Sequence, residues 1–421
     1  MATSEIINND SPATPRAHWK AIGPGIVAAA TGVGAGDLIA TLAAGSKLGY
    51  TLLWAVILGV LVKIALGEAV GRYHLASEST LLRGWRKLGI WTSWYFGIYI
   101  VVWGFVYGAA IMTATGMPLN AMFPSLSTNQ WGALCALIGF ALVWLGGYVR
   151  FERLITVLVG VMFVCVVGVA AMLVPNIPEM LTGLTPRLPA GSLIYTLGLL
   201  GGVGGTITMA AYGYWFNAKG WHDDKWMPTM RLDNTVSYVI TGIFVIAMMI
   251  VGTEVLHVAN IALSKGNHGL IQLGDLLRQR FGPVIWTAFL VGFWATSMTS
   301  LLGVWNGVSL IFSDFVRNAR SRPEAIGEEA TRMPEFRTYL FWLTFPPMLF
   351  LFFVAHNPVQ LILIYGVLGA LFMPFLAATL LWLLNWHVEK QHRNGWLSNA
   401  MLIISLLLFG VLCVVDLLHI G

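Results

Sequence analysis

Apolar residues along this chain fall into runs of about twenty, the length at which a helix covers the hydrocarbon of a bilayer, and polar residues collect between them. Eleven such runs predict eleven spanning helices, over about 22–45, 50–72, 93–116, 131–149, 154–174, 193–216, 235–257, 282–312, 338–355, 359–385 and 397–419. The eighth is long enough for part of it to lie outside the bilayer. Helices are the expected form because hydrocarbon offers no partner to an open backbone N–H or C=O. The pattern predicts an all-α polytopic membrane protein. The most polar interval, 316–337, carries Arg, Glu and Pro without an apolar period and reads as a flexible loop.

Composition changes this picture little. Only 10% of the 421 residues are charged, against 57% hydrophobic, whereas a soluble domain carries about a quarter charged residues. The net charge of +5 forms no basic stripe with interleaved aromatics, so nucleic acid is not an expected partner. Cys135, Cys165 and Cys413 lie inside apolar runs as small hydrophobes, setting out neither a disulfide framework nor a CxxC metal site. Residues 1–20 form a polar tail with no apolar h-region, so no cleavable signal peptide is expected.

The distribution of Lys and Arg orients the spans. One set of connecting segments holds Arg16, Lys20, Arg72, Arg83, Arg86, Lys87, Arg150, Arg153, Lys219, Lys225, Arg231, Arg317, Arg320, Arg322, Arg332, Arg337, Lys390 and Arg393. The other set holds only Lys47, Arg187, Lys265, Arg278 and Arg280. By the positive-inside rule the first set is cytoplasmic. That places the N-terminus inside the cell, the C-terminus outside, and the chain in the cytoplasmic (inner) membrane.

Two spans are built differently from the rest. The first reads GPGIVAAATGVGAGDLIATLAAG, with Gly32, Gly34 and Gly36 at its centre and Asp37 following. The sixth reads TLGLLGGVGGTITMAAYGYWF, with Gly201, Gly202, Gly204 and Gly205 at its centre, then Thr206 and Thr208. Glycine costs a helix interior about 0.8–1 kcal/mol relative to Ala, so such clusters favour unwinding. They also allow close helix packing. Their matched positions, opening spans 1–5 and spans 6–10, point to a transporter's binding site. Asp37 carries most information, because a carboxylate at a helix centre costs about 2.5–3.5 kcal/mol unless it meets a cavity, a counter-ion, a cation or the N–H groups of a helix start. Glu68 and Arg72, four apart, are expected to pair. Lys63 lies on a different face and is expected to snorkel or to face the bundle. Glu254, His257, Asp416 and His419 read as interfacial, and the many Trp as interface anchors.

The stretch from Gly23 to Tyr50, GPGIVAAATGVGAGDLIATLAAGSKLGY, resembles the first helix of the Nramp divalent-metal transporters, matching from GPG to GY without a gap. The sixth span with its basic loop, the MPF at Met373 to Phe375 and the eleven-span layout extend the resemblance over most of the chain. The resemblance implies a leucine-transporter-type 5+5 inverted repeat plus one extra helix. Residues 21–385 would then form the core, in repeats 21–174 and 193–385, and 386–421 a linker and the eleventh helix. The family's metal-site motif is altered here. Its Asp falls on Gly34 and its Asn on Asp37; its Met-Pro-His falls on Thr208, Met209 and Ala210, and a one-residue shift restores a Met at Met209. A span-10 Gln falls on Gly366. The family's span-3 acids have no counterpart between Thr92 and Met117.

A thioether selects soft transition metals, whereas carboxylate, carbonyl and hydroxyl oxygens suit Mg²⁺, Ca²⁺ and Mn²⁺. The altered motif is therefore similar to that of a divergent, magnesium-transporting branch of Nramp-related proteins. The expected cation site combines Asp37 and Thr208 with carbonyls of Gly34 and Gly205, and with Met209 on the shifted register. Lys63 and Glu68 are candidates for coupling or gating. The expected function is secondary or uniport movement of divalent cations, Mg²⁺ slightly ahead of Mn²⁺, without proton coupling; an amino acid, amine or other small organic solute is the alternative. The divalent metal is substrate, with no resident cofactor and no obligatory protein partner beyond the bilayer. Enzymatic activity is not expected, since the chain has no HExxH, GxSxG or P-loop and no paired intramembrane acids. Asp37→Ala should reduce uptake into proteoliposomes to background while leaving expression and gel-filtration behaviour intact; wild-type uptake by that variant would remove Asp37 from the site.

Overall fold

The computed structural model describes residues 22–202, 204–258, 276–325, 327–354 and 358–419; for 35–37, 194, 201–202, 358–363, 366–367, 370, 412–413 and 415–419 it describes only the backbone. Every regular element among the described residues is helical. In chain order these are α1 (Pro24–Gly32), α2 (Ala35–Leu48), α3 (Leu53–Ser77), α4 (Leu81–Leu88), α5 (Ile90–Met122), α6 (Thr128–Leu145), α7 (Tyr148–Met172), α8 (Ile177–Thr182), α9 (Leu193–Gly202), α10 (Tyr212–Lys219), α11 (Met227–Val251), α12 (Pro283–Ala319), α13 (Glu328–Arg332), α14 (Pro334–Phe353), α15 (Pro358–Trp386) and α16 (Trp396–His419). A 3₁₀ turn, Ile207–Ala211, leads into α10, and a π turn, Gly252–His257, ends α11.

The helices start where local chemistry allows. Pro24, Pro283 and Pro334 open α1, α12 and α14, at positions whose N–H would have no partner in any case. Ser127 and Gln130 form a capping box at the start of α6, satisfying two open donors at once. Seven of the described helical segments are long and apolar enough to cross a membrane: Leu53–Ser77, Ile90–Met122, Thr128–Leu145, Tyr148–Met172, Asp224–His257, Pro283–Ala319 and Pro334–Phe353. Shorter apolar helices occur at Leu38–Leu48, Leu371–Trp386 and Trp396–Val411.

At 37 residues α12 is about 55 Å long at 1.5 Å per residue, well beyond the hydrocarbon thickness. It packs against α1, α5, α6, α7 and α14. The two sets of connecting segments separate as the charge pattern predicts. Arg72 bonds the His392 carbonyl, Asn394 and Ser398; Arg86 meets the Asn318 carbonyl; Arg231 meets Glu68; and Lys219 meets Glu152. These contacts gather the basic segments at one end. At the other, Tyr50 OH and the Asn176 N–H both donate to Glu254, and His257 meets the Ser46 carbonyl.

Two expectations need correction. The interval 316–337 is not a structureless loop: α12 continues to Ala319, α13 follows, Ala325 and Ala330 are buried, and Glu335 pairs with Arg320 and Arg322. Ion pairs to Glu335 fold part of this interval back on itself, which an apolar-period search does not register. Nor are all Trp residues interfacial anchors. Trp91, Trp94, Trp386 and Trp396 are exposed, but Trp85, Trp103, Trp215, Trp221 and Trp305 are fully buried. Trp85 packs on Phe96, Phe372 and Phe375 while its Nε1 donates to Thr379, 2.9 Å away. The side chains of Cys413, Asp416 and His419, and all of residues 1–21, lie outside the described residues.

Small residues let helix backbones touch. A Cβ added at Gly116 would strike the Thr128 carbonyl, and one at Gly132 the Met112 carbonyl, so α5 and α6 cross with no side chain between them. Gly132→Val should destabilise the protein by about 1–3 kcal/mol, the usual cost of overpacking, read as a lowered Tm in detergent; an unchanged Tm would mean that the crossing yields freely.

Candidate functional site

The first glycine-rich span is broken, as its sequence predicts. α1 ends at Gly32, Val33 and Gly34 leave the helical path, and α2 begins at Ala35. Val33 N–H still reaches the Ala29 carbonyl at 3.0 Å, and Leu38 N–H reaches the Gly34 carbonyl at 3.1 Å, so each half-helix closes its own ladder. The break puts Asp37 in the first turn of α2, where open N–H groups favour an anion; its side chain lies outside the described residues. The sixth span is broken more widely. α9 ends at Gly202, Gly204 and Gly205 have φ of +72° and +86°, and the chain resumes as the 3₁₀ turn from Ile207. Side chains are strained at such angles, so these two positions need glycine.

The two breaks touch. A Cβ on Gly32 would collide with the backbone of Gly204 and Gly205, and one on Gly205 would lie 2.8 Å from the Gly32 Cα. Thr208 is buried in the 3₁₀ turn with its hydroxyl against Gly205, and Met209 is buried beside it. The Thr31, Thr206 and Thr208 hydroxyls are buried without a hydrogen-bond partner among the described residues. Buried polar groups are normally paired; of these three, the Thr208 hydroxyl lies against Gly205 at the contact, while Thr31 faces Gly303 and Thr206 faces Gly369.

Lys63, from the middle of α3, is fully buried and donates its ammonium to the Gly205 carbonyl, 3.7 Å from the Met373 sulfur. The structure thus joins two residues that the sequence left separate. Glu68 is elsewhere: it pairs with Arg72 and Arg231, each at 3.1 Å, at the basic end of the bundle. Gly34 faces Ser300, whose hydroxyl donates to the Thr31 carbonyl at 2.7 Å and lies 2.8 Å from Tyr107 OH; Tyr365 OH is close by. Ser300, Tyr107 and Tyr365 were missed because the search was for charge, although the run TSMTS at 296–300 signals a polar stripe within an apolar span.

Asp233 was also missed. This buried carboxylate accepts the Gly23 N–H at 3.0 Å, the Gly25 N–H at 2.5 Å and Tyr212 OH at 2.8 Å, so α11 caps the start of half-helix α1. Near the same end, Asp314 accepts from Thr80 at 2.6 Å and Tyr214 at 2.7 Å and pairs with Arg83. Glu324 accepts from Asn217 at 3.1 Å and faces Arg83 at 3.9 Å. These bonds tie α10 to α4, α12 and the following loop.

With this geometry in view, the comparisons with known proteins agree. The family model described as natural resistance-associated macrophage protein-like, Nramp, matches residues 25–419, and the chain belongs to that family. It is 25% identical over 340 residues to the divalent metal cation transporter MntH of Mycobacterium leprae (strain TN), spanning 76% of each chain. It is 27% identical over 262 residues to the protein of the same name from Chromohalobacter salexigens, spanning 58% of each. The fold is similar to that of a manganese transporter from Eremococcus coleocola (TM-score 0.75, 15% identity, 99% of this chain and 89% of that one). It is also similar to MhsT in complex with L-phenylalanine (TM-score 0.67, 14% identity, 94% and 97%). Family and apolar helices together make the chain a multi-pass membrane protein.

Burial, and then the neighbouring Asp314 carboxylate, push the Glu324 carboxyl up from 4.5 to about 7, against the pull of Arg83 and the Asn217 hydrogen bond. The folded protein therefore holds this proton more tightly than the unfolded chain. The stability it supplies is complete below about pH 4.5 and is lost as the pH rises through about 7. Tm should fall across that window, and Glu324→Gln should flatten the dependence; an equal slope in the variant would assign it to another group.

Proposed function

We propose that this chain carries divalent metal cations across the cytoplasmic membrane through the paired helix breaks. The observation that carries the reading is the meeting of two interrupted helices at Gly32 and Gly204–Gly205, with the Thr208 hydroxyl against Gly205 and unpaired among the described residues. Broken helix persists at membrane depth only where it lines a cavity or is buried in protein. Membership of the Nramp family and the printed activity of the MntH relatives support a divalent cation as the solute. Asp37 and Thr208 are the proposed metal-holding side chains, with the Gly34 carbonyl and, on the alternative register, Met209; the Gly205 carbonyl, the remaining candidate, accepts from Lys63 instead. The surrounding donors are oxygens, from Thr31, Ser300, Tyr107 and Tyr365. Oxygen donors suit a hard, partly hydrated ion, which favours Mg²⁺ ahead of Mn²⁺.

The proposed organisation is two inverted repeats, 21–174 and 193–385, followed by a linker and last helix over 386–421. The proposed orientation has the N-terminus inside and the C-terminus outside, a reading the excess of Lys and Arg on one set of connecting segments supports. Transport is driven without protons: for a divalent ion the membrane potential alone supplies about 4.6 kcal/mol per 100 mV. A second reading, an amino acid or other small organic solute, is favoured by one feature. The fully buried ammonium of Lys63 at the break repels a metal ion but would attract a solute carboxylate.

Proteoliposome uptake across Mg²⁺, Mn²⁺, Ca²⁺ and an amino-acid panel separates the two, with saturable Mg²⁺ uptake unaffected by amino acids expected. Cd²⁺ binding a hundred times tighter than Mg²⁺, about 2.7 kcal/mol, would instead assign Met209 as a ligand. A trapped pH-sensitive dye should show no stoichiometric acidification during metal uptake.

A further inference from the structure

The break at Gly204–Gly205 creates a problem that the protein solves with its own side chain. Positive φ at both residues turns the backbone out of the helical path, so the Gly205 carbonyl needs a partner from outside its own helix. In this low-dielectric interior an unmet carbonyl is costly. Lys63 meets it: its Nζ donates to the Gly205 oxygen and lies 3.7 Å from the Met373 sulfur. It is fully buried, in an otherwise apolar stretch of α3, Leu53–Leu66. A backbone carbonyl exposed by an interrupted helix is a setting in which a small cation is stable. Here the cation is covalently attached.

We propose that the Lys63 ammonium is a tethered monovalent cation, seated on the Gly205 carbonyl beside Met373, and that removing the side chain opens this seat to small free monovalent cations. Na⁺ would be held by the carbonyl, and methylammonium would restore the N–H donor as well. Choline has no N–H and is too bulky for the space a lysine head leaves. A second consequence rests on the proposed function: because the seat is already filled, metal movement by the wild type requires no Na⁺ as co-ion.

The test is thermal unfolding of the full chain in detergent, with choline, sodium or methylammonium chloride at equal ionic strength. The wild type should unfold within about 1 °C of the same temperature in all three, because its seat is occupied. Lys63→Ala should unfold lower in choline and recover by about 5 °C or more in methylammonium, with Na⁺ also effective, saturably and in the millimolar range. Lys63→Met fills the space without the charge, so it should be less stable than the wild type and unmoved by any of the salts. The proposal is overturned if Lys63→Ala responds to none of them, or stays unfolded in methylammonium, or if the wild type responds equally. It is overturned too if Lys63→Met matches the wild type, since volume alone would then explain the residue. The salt response is read without transport. Wild-type liposomes that take up no divalent cation would defeat the functional reading and leave this result to decide the seat.

Discussion

Every open backbone group inside a membrane has to find a partner within the protein, and the arrangement of this molecule follows from how two interrupted helices meet that demand. α1 and α2 lose little, since the Val33 and Leu38 N–H groups keep their helical acceptors across a short gap. The opening between α9 and the 3₁₀ turn is wider, and its Gly205 carbonyl is met by Lys63. The remaining open end, at the start of α1, is met by Asp233 from α11. Two deeply buried charged groups thus meet open backbone, Lys63 at Gly205 and Asp233 at the start of α1, and both come from helices that continue through the bundle.

Much of this was legible in the sequence. Long apolar runs mark helices because length and hydropathy must match the bilayer, and glycine clusters mark interruptions because glycine alone accepts the angles found at Gly204 and Gly205. The pairing of Glu68 with Arg72 follows from helical spacing. What sequence does not carry is the meeting of distant residues. Asp233 lies just before the start of the seventh apolar run, so it reads as a loop acid until α11 is seen to begin at Met227 and to bring it onto α1. Ser300 sits in the polar run TSMTS at 296–300, a signal passed over in a search for charge, whereas nothing in one dimension sets Tyr107 and Tyr365 apart from packing residues. Lys63 is expected from sequence to snorkel or to face the bundle, and it is buried in the bundle, but the Gly205 carbonyl it meets is 142 positions away.

The basic end shows a different economy. Tyr214 and Asn217 on α10 are held by Asp314 and Glu324, which share Arg83. This network is maintained by hydrogen bonds and charge among groups that include the buried Asp314 and Tyr214, so each member depends on the others for its partners. The region around Gly34 and Ser300 offers neutral hydroxyls from Ser300, Tyr107 and Tyr365.

The contact between Gly32 and Gly204–Gly205 has a mechanical side. Where side chains separate two helices, a rotamer change can take up a small sliding motion. Here backbone lies on backbone, and nothing soft stands between them. A displacement of one half-helix must either carry the other with it or part the surfaces outright, so the junction behaves as a clutch, engaged or released, with little room for intermediate positions.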